Sequence, residues 1–531
     1  MQPDGRWPHN GAMQAITSAL GHPLYDIGGT RAAEQQAALA LPPHTLMQRA
    51  GLAVAKLTLA LAPHARCIWI ACGPGNNGGD GFEAARHLHQ WGKTVVLTWT
   101  GLPPGKTSLP PDAQASRDRA LKAGVRMADQ PPPNFDFCID ALLGIGAMLD
   151  ADRPGTAHML QWLDLMQTSQ MPVLAIDIPT GLNADTGHST YSGASKVIAG
   201  SARHTGATGL FTLTLLTLKP GLFTAQGRDC AGEVWFDDLG VDGLNNDLVP
   251  PCAWLLGSDR IAPSPRAMAA HASHKGSFGD VAILGGESTP SSQMAGAALL
   301  AARAALHTGA GRVFVALLGA PGQAPISVDL AQPELMFRSP QALDLKRQVV
   351  VCGCGGGDAV KTVLANVLST APRLVLDADA LNAVAADSQL QILLRARHGR
   401  GYSTVLTPHP LEAARLASLS TCAVQKNRLK VAEQLAEHYL SVVVLKGSGT
   451  VIASPGQISC INASGNALLA TAGTGDVLAG MLGAWLASGA DAFKAACAAV
   501  FTHGRLADTW QLDSGRKVLV ASSLTQGSAV R

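Results

Sequence analysis

The chain has 531 residues, too many for one ordinary hydrophobic core, so two domains are the natural division. Hydrophobic residues make up 47% and charged residues 15%, and the 57 glycines follow no period, which sets collagen-like and low-complexity chains aside. A formal net charge of +2, without a long run of lysine and arginine, leaves no footprint for nucleic acid or an acidic membrane surface.

In chain order, Met1 to Leu20 is mixed and polar and lacks the continuous apolar core of a signal peptide. Later apolar stretches are broken too soon to span a bilayer, for example by Lys56 and Pro63. A soluble cytoplasmic protein is the resulting expectation. The ten cysteines fit that compartment: no CxxC occurs, and most lie in apolar runs that predict buried, reduced thiols. Cys352 and Cys354 are separated by one residue, a poor spacing for zinc.

Short β-branched runs then alternate with helical patterns. Strands are predicted at 66–72 (RCIWIAC), 94–99 (TVVLTW), 135–142 (FDFCIDAL) and 172–178 (PVLAIDI), with a helix at 82–91. Near-continuous apolar strands of this kind indicate a parallel sheet covered on both faces. From about Asp238 to Ser273 the alternation lapses, as in an interdomain linker. It resumes with strands at 280–286, 312–319, 348–353, 373–378, 403–408 and 441–447, and closes with glycine-punctuated helices from Gly475 to Leu512. The expected domains are 20–245 and 260–520, alike in class but without a shared repeat.

Ligands of parallel α/β sheets bind beyond the carboxyl ends of the strands. Three first-half motifs fall there: GPGNNGGDG after the first strand, DALLGIG after the third and DIPTGLNADTG after the fourth. The glycines permit tight turns and let backbone N–H groups approach an anion. One such loop could serve turn chemistry alone. Three of them, each with a carboxylate or amide (Asp140 and Asp177 at strand ends, Thr180 in a turn), ask for a ligand.

With LMQRAG (46–51) and LKPGLF (218–223), these motifs resemble the NAD(P)H-hydrate epimerase domain, from about Tyr25 to Asp238. The resemblance implies a Rossmann-like, three-layer α/β/α fold that binds hydrated NAD(P)H, with a potassium ion on Asn77, Asp140 and Thr180. That family usually has serine at Thr180, so the hydroxyl is kept. The implied substrate contacts are Asn76, Asn77, Gly78, Gly79 and Asp80, then Asp177, which is also the catalytic candidate. A second implied set is Gly144, Ile145, Gly146, Ala147, Met148, Leu149 and Asp150. The stretch at 200–210 departs from the family pattern and carries no role.

In the second half, NALLATAGTGDVLAGM places a glycine-rich turn before an apolar helix, whose free N–H groups suit phosphate. Asp476 at that helix start can act as a general base on a bound hydroxyl, beyond what a cap alone requires. LKGSGT (445–450) offers Lys446 and backbone donors to a nucleotide, and Pro-His-Pro holds His409 at a strand end. VLDADALN (375–382) supplies Asp377, Asp379 and Asn382.

From about His274 to Leu512 these motifs resemble the ADP-dependent NAD(P)H-hydrate dehydratase, a ribokinase-like α/β family. The resemblance implies that Lys446, Gly447, Ser448, Gly449, Thr450 and Gly475 contact the adenine nucleotide, and that Ala297, Gly355, His409 and Asp476 line the hydrate site. Where the family commonly reads GPGLG, this chain has Gly353-Cys354-Gly355-Gly356-Gly357, and the loss of proline and leucine predicts a looser loop.

Together the two resemblances imply a bifunctional metabolite-repair enzyme, an isomerase joined to a lyase. One half would interconvert the R and S hydrates of NADH and NADPH, and the other would dehydrate the S form at the expense of ADP, with ATP as the alternative donor. Potassium in the first half, Mg2+ with the nucleotide, small-molecule partners only and a homo-oligomer complete the expectation. The rival reading is a small-molecule kinase whose product keeps its phosphate, fused to a non-catalytic Rossmann-like binding module.

Overall fold

The computed structural model describes residues 13–103, 105–146, 149, 156–190, 209–241, 249–263, 269–289, 293–319 and 327–525. Contacts divide the chain into two compact α/β units, Met1–Thr17 with His22–Ala253 and Ser18–Gly21 with Trp254–Arg531. Among the described residues no helix is long and apolar enough to cross a membrane.

The first unit is built on a sheet with the order Gln14–Ala15, Glu233–Asp237, Leu210–Leu215, Val173–Ile176, Phe137–Ala141, Cys67–Cys72, Thr94–Trp99 and Arg126–Ala128. Gln14–Ala15 pairs antiparallel at one edge, and the other pairings are parallel. Side chains alternate between the faces, as a strand requires. Ile68, Ile70 and Cys72 join a core with the helices Thr45–Leu61, Asn76–Gln90 and Pro111–Lys122. Trp69 and Ala71 face the helix Thr156–Thr168 through Met159, Trp162 and Leu163. One layer of helix on each face makes the fold three-layered.

Two features depart from the sequence reading. The helix expected at 82–91 begins at Asn76, so the NNGGD residues are helical rather than looped. Glycine disfavours a helix by roughly 1 kcal/mol relative to alanine, but close packing demands it here. A β-carbon on Gly78 would lie 2.1 Å from Gly73 O, and one on Gly81 would lie 2.6 Å from Ala141 Cβ. The segment read as a linker also holds a strand, Ala253–Leu255, and the single turn Ser258–Arg260.

In the second unit the sheet runs Met336–Phe337, Arg312–Gly319, Asp280–Ser288, Val349–Cys352, Arg373–Leu376, Ser403–Leu406, Val442–Leu445, Thr450–Ala453 and Ser459–Asn462. The pairings are parallel as far as Val442–Leu445, and the last two pairings are antiparallel. The helix Thr474–Ala487 is buried on nearly every side, which is why it is apolar all round rather than striped. It packs on the alanine-rich helix Ala295–Thr308 so closely that a β-carbon on Gly480 would lie 2.0 Å from Ala301 O. That contact fixes the helix whose first turn carries Asp476.

Candidate active sites

In the first unit the three motifs meet where strands end. Asp140, the fourth residue of Phe137–Ala141, is buried, and its carboxylate accepts three hydrogen bonds from two strand-end turns. Oδ1 accepts from Thr180 Oγ1 at 2.7 Å and Leu142 N at 3.1 Å, while Oδ2 accepts from Thr180 N at 2.9 Å. Burial pushes the Asp140 carboxyl up, and the bonds from Thr180 and Leu142 oppose that. Asn77 is buried beside Gly144, and its Nδ2 has no hydrogen-bond partner among the described residues. Asp80 is half-buried, its carboxyl raised well above the usual range by desolvation and then by Asp177. Gly146 and Ile145 line a cavity of about 250 Å³ with Ile27, Arg31 and residues 181–184. Leu149 is buried in the core, while Ala147, Met148 and Asp150 lie outside the described residues, as does most of 200–210.

Asp177 stands just past Val173–Ile176 with φ 66°, in the left-handed region that non-glycine residues seldom adopt. Such a conformation costs on the order of 1–3 kcal/mol and persists only where neighbours hold it. Here the holder is Lys219, which is fully buried and forms an ion pair with Asp177 Oδ1. The LKPGLF motif was legible in the sequence, but this use of its lysine was not.

In the second unit four strand ends converge. Lys446 follows Val442–Leu445 and donates to Asp377 Oδ1 at 2.6 Å, an oxygen that also accepts from Thr407 Oγ1 at 2.6 Å. Burial works against the Lys446 charge, but Asp377 and Glu412 hold its pKa above the usual lysine value. The ammonium reaches the start of the Thr474–Ala487 helix, since a β-carbon on Gly475 would lie 3.3 Å from Lys446 Nζ. Cys354, Asp377 and Asp476 bring one sulfur and two carboxylates within 4.8 Å of one another. Burial pushes the Asp476 carboxyl up to about 6, with Asp377 adding to the rise and a hydrogen bond from Cys354 opposing it.

The Gly353–Gly357 segment is pinned rather than loose. Gly353 N donates to Leu284 O, Gly357 N to Asp379 Oδ2 and Glu287 N to Gly355 O, at 3.0, 2.9 and 2.6 Å. Gly353, Gly355 and Gly357 all take positive φ, so backbone bonds replace the stiffness that proline would lend. A β-carbon on Gly355 would lie 2.8 Å from Ala297 Cβ, so these two predicted site residues touch. His409 caps the helix Pro410–Ala417, its Nδ1 accepting from Leu411 N at 3.1 Å. Accepting at Nδ1 puts the proton of the neutral ring on Nε2, which is 3.2 Å from Glu412 Oε1 and lies on a half-exposed side chain. Gly447 and Ser448 are exposed, Gly449 is buried, and Thr450 Oγ1 donates to Gly447 O at 3.0 Å, which closes the turn.

Known proteins resemble this chain in sequence. Residues 43–221 match the family described as YjeF-related protein N-terminus, and residues 281–527 match the NAD(P)H-hydrate dehydratase family. The bifunctional NAD(P)H-hydrate repair enzyme of Escherichia coli K12 is 34% identical over 527 residues, covering 95% of this chain and 93% of the relative. The chain belongs to the bifunctional NAD(P)H-hydrate repair enzyme family. The ADP-dependent (S)-NAD(P)H-hydrate dehydratase of Neisseria meningitidis is 40% identical over 261 residues, 48% of this chain and 83% of the relative. Among solved structures, the ADP/ATP-dependent NAD(P)H-hydrate dehydratase of Bacillus subtilis, co-crystallised with ATP and Mg2+, matches at 30% identity. It covers 49% of this chain and 92% of that chain, with a TM-score of 0.41.

Two further residues of this repair-enzyme family member escaped the sequence reading. Arg428 is buried, and its guanidinium donates to Leu445 O at 3.0 Å and Lys446 O at 3.1 Å, propping the KGSG turn from beneath. Its pKa is pushed down to about 10 by that burial. His503 is buried against the Thr474 backbone, and burial holds it neutral with a pKa near 4. Neither lies in a glycine-rich or strand-end pattern, so no local signal marks them.

Proposed function

We propose that the chain repairs hydrated NADH and NADPH. The first unit interconverts the R and S hydrates, and the second returns the S hydrate to NAD(P)H at the expense of ADP. The observation that carries the second half of this reading is the half-buried Asp476 at a glycine-rich helix start, with a lysine ammonium beside it.

Hydroxide is a poor leaving group, and phosphate is a better one. In the second unit Asp476 takes the proton of the substrate hydroxyl, whose oxygen then attacks the terminal phosphorus of ADP, and AMP leaves. Gly475 N–H and its neighbours at the helix start, with Lys446, stabilise the charge on the transferring group. Loss of inorganic phosphate, with a proton from the adjacent ring carbon, restores the ring double bond. The net change is hydrate plus ADP to NAD(P)H, AMP and phosphate. Asp377 is already engaged by Lys446 and Thr407, and a thiol is a poor partner for a hard cation. Mg2+ would therefore arrive on the nucleotide phosphates and neutralise part of their charge.

In the first unit the hydroxyl must leave one face of the ring carbon as water and return on the other face. Asp177 is the group suited to take the proton from the returning water and give it back. Asn77, Asp140 and Thr180 offer only hard oxygen donors besides the unpartnered Asn77 amide nitrogen, and a buried carboxyl held up by desolvation suits a cation neighbour. They would hold potassium, which supplies positive charge beside the buried carboxylate. The domain limits of 20–245 and 260–520, a homo-oligomer and a cytoplasmic location belong to the same proposal.

The deciding experiment incubates the purified chain with mixed hydrate epimers, with and without ADP, and follows both epimers by chromatography. Epimer exchange without ADP, and NADH with free phosphate when ADP is added, are expected. A stable phosphorylated product would make the second unit an ordinary kinase, and absence of exchange would leave the first unit a binding module.

A further inference from the structure

Lys219 has three N–H donors, and all three are committed. They go to Asp177 Oδ1, to Thr214 Oγ1 at 3.1 Å and to Leu215 O at 2.8 Å. An ammonium so placed, with none of its side chain exposed, has nowhere to swing. It sits between two strand ends that each carry a non-glycine residue in the left-handed region, Asp177 at φ 66° and Leu216 at φ 64°.

The backbone around it is tied on both sides. Asp177 N donates to Leu213 O at 2.7 Å, and Leu215 N returns a bond to Asp177 Oδ1 at 3.2 Å. Leu216 N reaches Asp237 O at 2.9 Å, and Thr217 N reaches Leu215 O at 2.7 Å. Oδ1 of Asp177 is thus consumed by Lys219 and Leu215. Oδ2 has no hydrogen bond among the described residues, and the side chain keeps 15% exposure. One oxygen is clamped while its twin stays open.

The surroundings explain why a fixed cation is needed there. Asp177 is close enough to two other acids, half-buried Asp80 and exposed Glu34, to raise both of their pKa values, second only to their desolvation. Asp112 acts on those same two acids, and Arg31 acts on Glu34. A carboxylate among carboxyls, on a strained backbone, turns towards whichever partner holds it best.

We propose that Lys219 is a positioning residue for epimerisation, orienting Asp177 so that its free oxygen faces the substrate. This rests on the epimerase reading given above. Lys219 has no exposed side-chain surface to offer a substrate; it acts through Asp177, so its effect must vanish when Asp177 can no longer work.

The test is a double-mutant cycle in the full-length chain, with the circular dichroism and thermal unfolding of each variant as the control for folding. Lys219→Met should lower kcat for epimer exchange by about 10²-fold, as misplacement of a reacting group does, with KM within about threefold. In an Asp177→Asn background the same change should cost less than about threefold, because effects that act through one group do not multiply. An equal loss in both backgrounds, or no loss in the first, overturns the proposal. Should Lys219→Met fail to fold, Lys219→Arg keeps a cation at that depth but cannot reproduce the three-donor grip. It should lower kcat with KM unchanged, and an unaltered kcat overturns the proposal. A wild-type chain that exchanges no epimers refutes the epimerase reading instead.

Discussion

Each unit places one aspartate at the mouth of a parallel sheet, and the two are treated differently. Asp177 lies just past a strand, on left-handed backbone, and receives a fully buried lysine of its own. Asp476 lies in the first turn of a helix, and its nearest lysine is engaged elsewhere, on Asp377. Its neighbours are instead a thiol and a second carboxylate, and burial sets its carboxyl near 6. One acid is held by a partner, and the other is tuned by its surroundings. A group that must hold one direction gains from a clamp, whereas a group that must take a proton gains from a pKa near the working pH.

The sharpest way to break this contrast is to exchange the two losses. Asp476→Asn keeps the shape of the helix start but cannot accept a proton, so NADH release should fall by about 10²–10⁴-fold, with epimer exchange intact. Asp177→Ala should give the mirror profile, with exchange lost and dehydration of one epimer retained. Near-normal NADH recovery from Asp476→Asn would leave that aspartate a first-turn acid without a part in the proton transfer. Next, Asp140→Ala should slow epimer exchange and abolish any response to potassium. Exchange at the wild-type rate in sodium-only buffer would remove the ion from the account.

A smaller effect is expected beneath the nucleotide loop. Arg428→Met strips the donors from Leu445 O and Lys446 O and should raise the KM for ADP roughly tenfold, the cost of buried acceptors left unpaired. An unchanged KM for ADP would mean that the KGSG turn holds its shape without Arg428. The smallest effect sharpens the tuning claim. A base with a carboxyl near 6 works when ionised, so dehydration should be flat above about pH 7 and fall tenfold per unit below about pH 6. The Cys354 bond lowers that value, so Cys354→Ala should move the acid limb upward while changing the rate at pH 8 less than about threefold. A limb that moved down would assign the thiol the opposite role.

Much of this was legible in the chain itself, because parallel strands are continuous apolar runs and their ends are marked by glycine and aspartate. Asp140, Asp177 and Asp377 carry that mark, and Asp476 stands after a glycine-rich turn at a helix start. What escaped notice acts from a distance. Lys219 is 42 residues from Asp177, and Arg428 is 18 residues from the Lys446 carbonyl it supports. A single buried cation has no periodicity, and only the fold brings it to its acceptor. The start of the helix at Asn76 was hidden for another reason: glycine propensity argues for a loop, and close packing of the helix on its neighbours overrides it. The cysteine at 354 marked a departure from its family, yet the expected looseness was met by backbone hydrogen bonds that no composition reveals.

The strip Ser18–Gly21 belongs to the second unit although it precedes nearly all of the first. Gly21 N donates to Asp259 Oδ1 at 2.7 Å, across 238 positions of chain, and Arg505 reaches Ser18 Oγ at 3.2 Å. On a ribosome adding about 5–20 residues per second, that first partner emerges roughly 10–50 s after the strip itself. Throughout this interval residues 22–253 can fold, while four residues just ahead of them wait undocked. The second unit is thus begun early and finished last, and a rearranged chain with residues 18–21 moved to immediately ahead of residue 254 would remove the wait.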